Sequence, residues 1–163
     1  MRIKVVASVA ALLLLAGLAG LAVTSSVRAA DDPSNGTWKL NVAKSKFVPG
    51  PAPQSDTITV KIENGSETYK ADGMDAAGKP TDGSFTAKTD GTDTPITGNP
   101  YGDTISIKHP SPSRLIAEIK KDGKVTNTVH IVVSADGKTR TATYTGKTPD
   151  GKTLHEVRVY EKQ

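Results

Sequence analysis

Along residues 57–63 of this chain, apolar and polar side chains change places at every step. Ile58, Val60 and Ile62 fall on one face, and Thr57, Thr59 and Lys61 on the other. A period of two belongs to a half-buried β-strand. The alternation returns at 104–109, with Ile105 and Ile107, and at 114–121, with Leu115, Ala117 and Ile119. Gly36-Thr37-Trp38-Lys39-Leu40 reads as an opening strand, and 66–71 and 84–89 as two more. No stretch after the first 29 residues carries the apolar period of an amphipathic helix. One helical turn near 42–47 is the most that is expected.

Turn signals punctuate these strands. Asp-Gly-Lys occurs at Asp122, Asp136 and Asp150, fourteen residues apart, with β-branched runs between. Asp-Gly supplies the positive φ of a tight hairpin, because glycine has no Cβ to clash. Asn64-Gly65 signals the same turn. Pro49, Pro51 and Pro53 predict an extended, unpaired path through 41–56. Residues 72–83 read as a polar loop, 89–102 as irregular with Ile96 in a short strand, and His109-Pro110-Ser111-Pro112 as a stiff turn. The sum is an all-β protein: an antiparallel up-and-down meander of eight to ten strands with little helix. Closing it into a barrel covers its edges, with a two-sheet sandwich as the alternative.

The first residues follow another logic. Arg2 and Lys4 precede an almost wholly apolar run from Val5 to Val23, and Val27-Arg28-Ala29 offers a small-residue cleavage site. This predicts a signal peptide over 1–29, cut after Ala29, and a single barrel domain over 30–163. A retained anchor is the alternative. The expected location is the periplasm or exterior of a bacterium, with no stable membrane insertion after cleavage. The chain has no cysteine, so no disulfide framework is available.

Removing the leader changes the charge. The whole chain has 21 Lys+Arg and 17 Asp+Glu; Arg2, Lys4 and Arg28 leave with the leader, so 18 minus 17 gives +1. Nothing basic then argues for nucleic acid. The core is thin, with Leu40, Leu115 and Leu154 as its only leucines, two Phe and one Trp.

The two ends of the domain together resemble a known group. Gly36-x-Trp38 resembles the opening strand of lipocalins and fatty-acid-binding proteins, the calycin group. Val157-Arg158-Val159-Tyr160 resembles the closing Arg-x-Tyr strand of the fatty-acid-binding proteins. The chain looks like a bacterial, secreted, lipocalin-like domain, with a proline-rich loop where the fatty-acid-binding proteins insert a helical lid. The resemblance implies a β-barrel that binds a small apolar or amphipathic ligand. A filled barrel with a structural or interaction role in the cell envelope is the alternative.

The resemblance marks Gly36, Trp38 and Arg158 as a structural signature. It gives Arg158 two roles: packing its cation across Trp38 at the closed end, or pointing inward with Tyr160 to hold a carboxylate. Parity separates them. Arg158 and Tyr160 share a face with Leu154 and Glu156, and Val157 and Val159 share the other with His155. Valines facing inward put Arg158 at the seam; valines outside put it in the cavity. Tyr69 and Tyr144 are further candidates for the cavity wall. Asn127, on the face of Val125, Val129, Ile131 and Val133, is a candidate ligand hydrogen bond.

No metal site is expected. His109, His130 and His155 lack ligand spacing, and Asp90-Gly91-Thr92-Asp93 lacks a calcium loop's ligand series. No cofactor is implied. The absence of a nucleophile elbow or phosphate loop gives an enzymatic reading little to stand on.

Overall fold

The computed structural model describes residues 31–163. The expected leader and its cut after Ala29 lie outside them. Among the described residues, eleven antiparallel strands form one sheet: β1 (Gly36–Leu40), β2 (Lys46–Val48), β3 (Ser55–Glu63), β4 (Ser66–Met74), β5 (Pro80–Lys88), β6 (Thr94–Pro95), β7 (Thr104–Ser111), β8 (Arg114–Lys121), β9 (Lys124–Val133), β10 (Thr139–Lys147) and β11 (Thr153–Lys162). The sheet order is β5-β4-β3-β1-β11-β10-β9-β8-β7-β6, with β2 also on β11. First and last strands meet, with Trp38 opposite Lys162 and Leu40 opposite Tyr160. The ends of the sheet approach through Thr89–Gly91: Gly91 N donates to Ile107 O at 2.8 Å and His109 N to Thr89 O at 3.3 Å. Among the described residues no ladder joins β5 to β7, so the barrel is nearly closed. The all-β barrel is thus the observed fold, not the sandwich.

Three local expectations are corrected. The 72–83 loop is a hairpin: β4 extends to Met74, β5 starts at Pro80, and Asp75–Lys79 turns between them. This end of the hairpin is largely exposed on both faces, so no apolar alternation marks it. The proline-rich segment is not wholly unpaired. A 3-10 turn at Val42–Lys44, capped by the Asn41 side chain, breaks the first strand, which resumes as β2 on β11. The stiff turn after His109 is shorter, because β7 continues through Pro110 to Ser111 over a register irregularity where a missing donor is tolerated.

The Asp-Gly turns divide into two kinds. Asp122-Gly123 makes a two-residue turn with positive φ at both residues, as does Asn64-Gly65. Asp136-Gly137 and Asp150-Gly151 lie in five-residue loops, where Ser134 and Thr148 hydroxyls bond the aspartates.

The barrel has a packed half and a hollow half. At the packed end, Trp38, Ile58, Val60, Ile107, Leu115, Ile131, Val133 and Tyr160 are buried together. The turn at Asp32–Asn35 plugs this end. Trp38 Nε1 donates to Ser34 O at 2.9 Å, and Asn35 pairs with both backbone groups of Ile62. The cation over Trp38 is Lys162, its Nζ 5.0 Å from the ring centroid. The expected Arg158 seam is therefore replaced by Lys162. Gly36, at φ 132°, leaves room for the lysine chain, since a Cβ there would press on its Cε. Lys162→Ala is expected to cost about 0.5–1 kcal/mol, the range for an exposed cation–π contact, in a urea-denaturation midpoint.

Candidate ligand-binding cavity

Beyond Trp38, the inward faces of the strands stop meeting. A cavity of about 580 Å³ opens between the proline-rich segment, the outer half of the β4–β5 hairpin and the Ile96–Tyr101 loop. A deeper chamber of about 180 Å³ shares part of its wall and reaches Ile119, Asn127, Tyr144 and Leu154. Known ligand pockets fall at about 300–1,000 Å³, and the larger chamber lies within that range.

Strand parity in β11 takes the second of the two orders. Leu154, Glu156 and Tyr160 are buried on the inside with Arg158. Val157 and Val159 lie outside, beside the residues after β1: Asn41 N donates to Val159 O, and Val159 N donates to Ser45 Oγ. Val157 and Val159 thus lie on the outer face, while Glu156 and Arg158 make this stretch of the inner face polar.

Arg158 stands in the wall of both chambers. Its Nε donates to Glu156 Oε2 at 2.8 Å, its Nη2 lies 2.7 Å from the same oxygen, and its Nη1 lies 3.7 Å from Asp56. The guanidinium sits 4.6 Å from the Tyr144 ring centroid and 5.8 Å from that of Phe47. Tyr160 donates its hydroxyl to Asp56 Oδ2 at 2.7 Å. The two groups expected to hold a ligand carboxylate are already held by two carboxylates of the chain. Burial raises the Asp56 carboxyl above its ordinary range, against the pull of the Tyr160 hydroxyl and Arg158.

Aromatic rings line the larger chamber as well. Tyr69 and Phe85 are stacked at 4.9 Å and 8°, and burial raises the Tyr69 phenol. Tyr101 enters from the loop before β7. The bulge that leaves Thr126 unpaired in β9 anchors it: Thr126 Oγ1 donates to Tyr101 O at 2.8 Å. The bulge also turns Val125 outward, so it leaves the face expected for it, while Asn127 stays inside. Asn127 is 1% exposed. Its Oδ1 accepts from Lys147 N at 3.1 Å, and its Nδ2 has no partner among the described residues.

Of the residues named from the sequence, Tyr69, Asn127, Tyr144 and Arg158 line the two chambers, while Tyr160 lines neither and reaches them only through its bond to Asp56. Asp56, Glu156 and Tyr101 complete the lining and were not picked. Glu156 was visible only as a neighbour of Arg158 in parity, Asp56 preceded the recognised alternation, and Tyr101 lies in irregular chain.

A second polar group is sealed at the packed end. Glu67 and Arg140 are each 3% exposed, and His109 Nε2 lies 3.3 Å from Asp32. Burial raises the Glu67 carboxyl, with Arg140 and His109 pulling the other way. A raised folded-state value means the charge opposes folding once pH climbs past the unfolded value of about 4.3. Glu67→Gln removes that cost. Its melting temperature is expected to exceed the parent's at pH 7, with the gain shrinking to nothing as pH falls below about 4. A gain that grew on acidification would contradict this sign.

No protein-family model and no curated protein sequence matches this chain. The barrel is similar in structure to the zebrafish ileal bile acid-binding protein complexed with cholic acid. The TM-score is 0.51 at 10% sequence identity, over 80% of this chain and 99% of that one. The fold is a calycin-like barrel. The likeness is one of fold, and it joins the two chain ends on which the sequence resemblance rests.

Proposed function

We propose that this chain is an exported binding protein that carries a small amphipathic molecule inside its barrel, in the periplasm or outside a bacterial cell. The observation that carries the reading is the cavity of about 580 Å³ under the loops. A barrel with a purely structural role has no use for that space, because an unfilled interior forfeits packing. Stacked Tyr69 and Phe85 offer an apolar wall, and Asp56, Glu156 and Arg158 a polar one, so the interior suits a molecule with both characters. The zebrafish protein of similar fold is complexed with cholic acid, which supports ligand binding in general. The reading has no catalytic role in it.

Ala71 lines the cavity from β4 and has space before it. Ala71→Trp is expected to fill the chamber and weaken binding of the uncharged reporter N-phenylnaphthylamine by about tenfold or more, by fluorescence titration. The thermal melt should stay close to the parent's. Unchanged reporter binding would place the ligand elsewhere and defeat the proposal.

A further inference from the structure

The polar wall of the cavity is lopsided in charge. Asp56, Asp75, Asp82 and Glu156 line it, and Arg158 is its one basic side chain; no lysine or histidine joins it among the described residues. Four negative groups against one positive leave a formal charge of −3. Arg158 does not present a free cation, since Glu156 and Asp56 hold it. A ligand carboxylate would have to displace Glu156 and then sit beside Asp56, and like charges at that range repel.

Aromatic faces favour the same sign. Tyr69 and Phe85 stack on one another in the lining, and Tyr101 lines the same cavity. A ring's negative face attracts an ammonium group, and cages of rings are a recurring solution for quaternary ammonium ligands. A third observation stands apart from charge: Asn127 lines the deeper chamber, and its buried Nδ2 has no partner among the described residues. A buried donor of this kind calls for an acceptor oxygen.

We infer that the cavity takes a cationic amphiphile, with its ammonium group beside Asp56 and Glu156 against the aromatic wall, and an acceptor oxygen on its body reaching Asn127. The inference rests on the binding-protein reading and names its ligand class. The raised carboxyl of Asp56 agrees with it, because a cation beside a desolvated carboxylate relieves that cost.

The test uses three matched probes below their micelle concentrations: decyltrimethylammonium, decanoate and decanol, each titrated into the purified protein by calorimetry. The cation is expected to bind about tenfold or more tighter than decanoate, with a margin that narrows in high salt. Glu156→Gln frees Arg158 and is expected to reverse the order, favouring decanoate. Asp56→Asn lowers cation affinity and keeps an acceptor for Tyr160; it gives an independent reading should the first variant melt early. Decanoate binding as tightly as the cation to the parent would overturn the ligand class and leave the carrier reading standing. An unreversed order in Glu156→Gln, with cation affinity unchanged in Asp56→Asn, would overturn the placement of the ammonium group. No binding by any of the three would overturn both inferences.

Discussion

Trp38→Ala is expected to destabilise the barrel by about 3–5 kcal/mol, the range for removing a large aromatic side chain from a packed core. Trp38 is fully buried, lies opposite both Ile58 and Lys162 in the sheet, and ties the Asp32–Asn35 plug through its indole N–H. Little else at this end has comparable bulk, because the chain has one Trp and two Phe. Neighbours such as Val60, Ile107 and Leu115 cannot cover the gap without moving strands. A domain of this size has a stability of about 5–15 kcal/mol, so the variant should be partly unfolded near physiological temperature. Circular dichroism in urea reads the loss; a change under about 1 kcal/mol would mean that the tryptophan does not plug the closed end.

Gly146→Ala should be nearly as costly, for a reason of backbone and not of bulk. Gly146 lies opposite Asn127 on β9, at φ 149°. A Cβ there would fall against Asn127 Oδ1 and the Thr126 carbonyl. Strained φ and forced overpacking each cost about 1–3 kcal/mol, giving about 2–5 together. Gly123→Ala is the control: its φ is 73°, and a Cβ would meet nothing within 4 Å. Its loss should be about 1 kcal/mol, from φ alone. The Gly146 variant also pushes on the side chain that bounds the deeper chamber, so ligand affinity should fall with stability. Equal losses in the two variants would mean that the approach of β10 to Asn127 is looser than described.

The meander was legible because its strands alternate cleanly where one face is packed. β3, β7 and β8 carry Ile, Leu and Ala inward and Thr, Lys or Glu outward. Legibility ended where that bargain fails. In β11 the more apolar pair, Val157 and Val159, faces out because residues 41–45 run beside it, and Glu156 and Arg158 face in, paired side by side in the cavity wall. An alternation that assumes an oily interior reads such a strand backwards. The outer half of the β4–β5 hairpin is wet on both faces and has no period to read. The site was legible in its separate residues but not in its charge. Tyr69, Asn127, Tyr144, Arg158 and Tyr160 could be named one by one, whereas the approach of Asp56 to Arg158, and its bond from Tyr160 over 104 positions, exists only once the barrel closes. The seam cation was misplaced for the same reason: Arg158 and Lys162 share one face of β11, and only the register shows that Lys162 lies opposite Trp38.

The central claim is that the hollow half of this barrel holds a ligand. Native mass spectrometry of the protein purified without detergent from its own host tests it most directly. The account predicts a bound small molecule whose added mass disappears on denaturation, and whose occupancy falls in Ala71→Trp. A bare mass for the parent protein, in preparations that also show no uptake of an added amphiphile, would contradict it.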